Sequence, residues 1–155
     1  MNSSEFIESL EKDDLIPLAS PIMAWEMGVV DGPEEVAEYM YKGGPYPPVA
    51  VIKPPRRIKL SEHDHRPERK YWELVKKEMH LFLCAEDKKY ADLWESLGSI
   101  KSASGAACVA VIAAKMGEEI GAQATIISGF IAVCLYAVWR IGKESFCQYL
   151  QQTLP

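Results

Sequence analysis

The chain has 155 residues, with 17 Lys and Arg against 22 Asp and Glu, a net charge of −5 and 48% hydrophobic residues. That length is one domain with room for a real core, and that balance argues against a general nucleic-acid binder, which carries a basic face. Four widely spaced cysteines, Cys84, Cys108, Cys134 and Cys147, form no CxxC pair and sit mostly among apolar neighbours. They read as reduced small hydrophobes, so a cytoplasmic location is expected. The opening MNSSEFIESLEKDD has neither the basic start nor the apolar run of a secretion signal.

Residues 3–12 predict a short amphipathic helix, capped by Ser3 or Ser4, with Phe6, Ile7 and Leu10 on one face. The next stretch, LIPLASPIMAWEMGVV over 15–30, is apolar but broken by Pro17 and Pro21, and helix and strand stay open. Exposed, with Met23, Trp25 and Met27, it would be a partner surface; packing into the core is the expectation. Asp31-Gly32-Pro33-Glu34-Glu35 is a helix start, because proline suits the first helical position and acids suit the first turn. Gly43-Gly44 stops that helix near Lys42.

From Gly43 to Arg69, six prolines exclude a regular helix. Val49–Ile52 suits a short edge strand, and the rest reads as extended chain. Lys53, Arg56, Arg57, Lys59, Arg66 and Arg69 make this arm basic within an acidic protein, a charge asymmetry that points to a partner. Trp72 beside Arg69 and Lys70 joins this expected partner-binding set. The chain thus divides into an N-terminal helical segment (1–42), a proline-rich basic arm (43–66) and a helical core (67–155), within one domain.

Helices are expected over 67–84 and 86–97, the second with the stripe Tyr90, Leu93, Trp94, Leu97 and a stop at Gly98. Two more, 103–116 and 119–141, form an apolar hairpin around the joint KMGEEIG, where Gly117 closes one helix and Glu118 and Glu119 open the next. A terminal helix follows Gly142. Ala124–Trp139 carries no charge, and Tyr136, Trp139, Arg140 and Lys143 resemble an interfacial anchor. The companion, Ala103–Ala114, has only about 12 residues and is too short to span a bilayer. The hairpin is therefore expected to be a soluble core.

Candidate chemistry is sparse. His63, Asp64 and His65, with His80 and Cys84 four apart on one helix face, have the ligand types for zinc, but nothing in the sequence brings the two groups together. SASGAAC at 102–108 opens a helix whose free N–H groups suit an anion or simple capping. There is no GxSxG elbow, Walker loop or GxGxxG. No catalytic residue, metal or cofactor is assigned. The expected fold is mainly α, a compact helical bundle around the apolar hairpin with a proline-rich extended arm. The expected function is a non-enzymatic adaptor or regulatory subunit acting through a protein partner or as a homo-oligomer. One alternative is a membrane-active effector whose hairpin 103–142 inserts into a bilayer. The other is a metal-dependent enzyme using His63, Asp64 and His65.

Overall fold

The least polar stretch of the chain becomes its central helix. A computed structural model describes residues 1–43, 66–100 and 104–154. Among them there are nine α-helices and no strand, so the molecule is mainly helical. In chain order these are α1 (Ser3–Glu8), α2 (Lys12–Leu15), α3 (Ile22–Glu26), α4 (Pro33–Lys42), α5 (Arg69–Met79), α6 (Ala91–Ser99), α7 (Gly105–Ile120), α8 (Ala124–Ile141) and α9 (Lys143–Thr153). The expected edge strand Val49–Ile52 and most of the arm lie outside the described residues.

The side chains of α8 are apolar on every face, so α8 must be covered all round. Helices α1, α2, α4, α5, α7 and α9 supply the cover, α7 most extensively. Every residue from Phe130 to Val138 is buried. Aromatic rings fill the space around it. Trp72 of α5 meets Phe130 at 5.5 Å, and Phe82 stacks on Trp94 at 4.3 Å.

Local chemistry moved several expected boundaries. The first helix is capped by Asn2, not Ser3 or Ser4: its side chain accepts from the Glu5 N–H while Glu5 reaches back to the Asn2 N–H. It stops at Glu8 because the Ser9 hydroxyl takes the Phe6 carbonyl at 2.7 Å. Helix 67–84 widens into a π turn over His80–Cys84, and α6 runs through Gly98. The stretch left open between helix and strand forms a 3-10 turn, Ile16–Leu18, and then α3.

The hairpin joint also lies one turn later than expected. Glu118 and Glu119 continue α7, and Gly121 ends it in the left-handed region at φ +82°. The N–H groups of Gly121 and Ala122 both bond the Gly117 carbonyl. Lys115 and Lys89 both pair with Glu119, which favours the longer helix.

One cysteine expectation is corrected. Cys84 and Cys147 are joined in a disulfide, while Cys108 and Cys134 are free and buried. The π turn carries Cys84 against α9, leaving the two Cα atoms 5.9 Å apart, within disulfide reach. This bond removes the cysteine argument for a reducing compartment.

Candidate functional site

The expected sites fare unequally. Lys53, Arg56, Arg57, Lys59, His63, Asp64 and His65 lie outside the described residues. Arg66 donates to the Lys42 carbonyl, and Arg69 lies over Tyr41 at 5.9 Å and beside Glu73 at 3.9 Å. Both therefore sit at the C-terminal end of α4, where cations are favoured. Trp72 is corrected as a partner-binding residue: it is fully buried, and its indole N–H donates to Glu34. Its apolar ring and single donor are both satisfied in the core. Cys84, one of the residues with a zinc-competent side chain, has its sulfur bonded to Cys147 instead. Of the two readings of SASGAAC, capping is what the described residues from Ser104 onward show. Asp14 accepts from the Gly105 N–H at 3.1 Å and Ser104 from the Ala107 N–H at 3.3 Å.

Two carboxylates from the N-terminal third hold the helices at the other end of α8. Glu34, in the first turn of α4, accepts from Trp72 at 3.1 Å, from the Lys76 ammonium at 2.6 Å and from the Tyr149 hydroxyl. Burial raises its carboxyl, but the hydrogen bonds from Lys76, Tyr149 and Trp72 outweigh this and hold it below the ordinary range. Glu26, at the end of α3, pairs with Lys12 at 2.8 Å and accepts from the Tyr136 hydroxyl at 2.5 Å. Those bonds lower its carboxyl as well. Arg140 donates to the Tyr136 oxygen and lies over the Trp25 ring at 5.2 Å.

Between these two anchors a cleft of about 330 Å³ opens. Trp25, Pro33, Ile141 and Tyr149 give it apolar walls, and Asp31, Glu34 and Glu35 stand around it. Of the exposed large apolar side chains Ile141 lines it, and others lie on α3, the loop after it and the end of α8, elements that meet where Trp25 packs on Tyr136. Met23 and Met27 flank the outer side of α3, Val29 follows in the loop, and Trp139 and Ile141 end α8. Met27 is 70% exposed and Val29 68%, so the described residues leave most of each side chain open. No protein family, curated protein or solved structure matches this chain. Its function therefore rests on this geometry alone.

The larger hollow, about 640 Å³, lies at the opposite end of α8. Arg66, Glu68, Gln123, Thr125 and Ser128 give it a mixed polar lining without a single aim. Among the described residues no group of His, Cys, Asp and Glu is arranged to hold a metal. A further polar cluster, Tyr90–Glu78–Lys89–Glu119, is a structural pin. The Tyr90 hydroxyl donates to buried Glu78, and Lys89 bridges Glu78 and Glu119.

Sequence reasoning missed the Glu34 and Glu26 anchors. Glu34 reads as a helix-start acid, and its partner Tyr149 lies 115 residues away, so no linear spacing signals the contact. The signal that did exist was LIPLASPIMAWEMGVV, too apolar for a loop and too broken for one helix.

Proposed function

We propose that the protein is a non-enzymatic interaction subunit that works by docking a protein partner. The observation that carries this reading is the exposed apolar set at the α3 loop and the end of α8. Large apolar side chains gathered on one part of a surface mark interaction sites more often than solvent-facing accidents. In this reading the apolar pair α7–α8 is the scaffold of a compact bundle. The proline-rich basic arm, 43–66, is a second contact, with Lys53, Arg56, Arg57 and Lys59 facing an acidic surface of the partner.

The test compares the natural chain with a Met27→Asp, Val29→Asp variant, both purified at low salt from the native host. A co-purifying polypeptide in fixed ratio, or a defined homo-oligomeric mass, is expected for the natural chain and is lost in the variant. A bare monomer in both cases would overturn the reading.

A bilayer-inserting effector is the rival, supported by the length and composition of α8, which suffice to cross a membrane. The cover of six helices over Phe130–Val138 weighs against it, since insertion would first have to strip that core.

A further inference from the structure

We propose that the cleft between the Asp31–Glu35 turn and the end of α8 takes a partner-protein segment presenting a lysine or arginine side chain between apolar residues. This rests on the docking reading above and names the chemistry of the docked chain.

The cleft has the two parts that such a side chain needs. Pro33, Ile141 and Tyr149 offer apolar wall for an aliphatic stem, which long basic side chains lay along such surfaces. Asp31 and Glu35 are exposed at the rim, and neither is paired with a cation among the described residues. Glu35 is already oriented, because its carboxylate accepts from the Asp31 N–H at 3.0 Å. Glu34 is different. Lys76, Trp72 and Tyr149 already use it, so it shapes the wall and leaves the charge recognition to its neighbours. Met27 and Val29, exposed in the loop that leads into Asp31, supply the apolar shoulder beside the cation.

Charge separates this occupant from the two others that fit an apolar patch. A second copy meeting this cleft about a two-fold axis would set Asp31 and Glu35 against the same carboxylates of its mate. An anionic lipid surface would be repelled by the same pair. A basic, apolar protein segment gains from both features at once.

The experiment titrates the full chain with two synthetic helical peptides of leucine and lysine or of leucine and glutamate, identical in register. Calorimetry at low salt is expected to show saturable binding of the lysine peptide, about tenfold tighter than the glutamate peptide. An Asp31→Asn, Glu35→Gln variant should bind it about tenfold more weakly, as should Val29→Asn, which removes the apolar shoulder without adding charge. The charge-matched variant Asp92→Asn, Glu95→Gln on α6 should bind like the natural chain. All these positions are exposed and Gln keeps an acceptor for the Asp31 N–H, so circular dichroism melts should fall only slightly, by similar amounts in the two charge-neutralised variants. Equal binding of the two peptides would overturn the inference by removing its charge recognition, and equal loss in the α6 variant would overturn it by reducing it to net charge. Absence of peptide binding together with a homodimer broken by Val29→Asn would overturn it and leave the interaction reading standing. Binding to anionic vesicles in place of peptide would overturn both.

Discussion

Lys76 sets its ammonium 2.6 Å from the Glu34 carboxylate, although the two lie 42 residues apart. The side chain of Lys76 is 2% exposed and that of Glu34 41%, so the cation is inside and its counter-charge lies at the surface. Trp72 and Tyr149 donate to the same carboxylate, which therefore ties α4 to α5 and α9. Removing Glu34 leaves a buried cation short of its best partner. Loss of one member of a buried pair costs about 3–5 kcal/mol. Glu73, 3.2 Å from Lys76, retains part of the compensation. Glu34→Ala is expected to lose about 3 kcal/mol in urea unfolding, and Glu34→Gln less. A loss below about 1 kcal/mol, the range of an exposed pair, would show that Lys76 is not held by Glu34.

The pH profile follows from the same anchors. Glu34 and Glu26 are held below the ordinary carboxyl value of 4.5, so the folded state binds their protons more weakly than the unfolded chain. Their contribution is present above that value and is lost as pH falls through the folded values. On the alkaline side, burial and then a carboxylate bond raise Tyr149 (Glu34) and Tyr90 (Glu78) above 10.0. The hydrogen bond that the Lys89 ammonium donates to Glu78 likewise raises Lys89 above 10.5. These contributions are present below the ordinary values and are lost as pH rises through the folded ones. The melting temperature should be flat through neutrality and fall at both ends. Glu34→Gln should flatten the acid limb and Tyr149→Phe the alkaline one. Unaltered limbs in both variants would assign the pH dependence to other groups.

Cys84 and Cys147 close a loop across 63 residues, a constraint on the unfolded chain of about 4 kcal/mol by loop entropy. Phe146 and Leu150 also bury against the core, so α9 should stay docked after reduction but open more often. Dithiothreitol, or Cys147→Ser, is expected to lower the melting temperature and to speed amide exchange first over 143–153. Equal exchange in both redox states would show that packing alone holds α9.

Two glycines at the end of α7 should respond for different reasons. Gly117 lies inside the helix, where Ala is ordinarily better by about 1 kcal/mol. Here a Cβ would stand 2.5 Å from the Ala122 carbonyl oxygen, so Gly117→Ala should destabilise. Gly121 has open space but φ +82°, and Gly121→Ala should cost about 1–2 kcal/mol through the left-handed backbone alone. A stabilised Gly117→Ala protein in thermal melts would contradict the close approach.

Ile131 lies wholly inside the core at the middle of α8. Ile131→Lys should unfold the chain in detergent-free buffer, because the charge has no partner there. A folded soluble variant that no longer binds vesicles would instead make α8 an insertion element.

Much of the helical content was legible because it follows from spacing along the chain. Pro33 with two following acids starts α4 where expected, and the stripe Tyr90, Leu93, Trp94, Leu97 marks α6. Boundaries were less legible where two residues offered the same signal. Ser3 or Ser4 reads as the cap that Asn2 supplies, and Gly117 as the stop that Gly121 supplies. Side-chain bonds from Glu5 and Glu119 decided those cases.

By itself, the sequence determined that the chain is mainly helical and that the most apolar part of Ala124–Trp139 needs cover, which Phe130–Val138 receives, since composition and period are local properties. Only the tertiary structure decided that six helices do the shielding, that Cys84 meets Cys147, and that Trp72 faces inward. It also left Met27 and Val29 outside while Trp25 and Val30 of the same apolar stretch went in. Those outcomes depend on which distant surfaces meet, and residues such as Glu34 and Tyr149 carry no mark of their partner until the chain has folded.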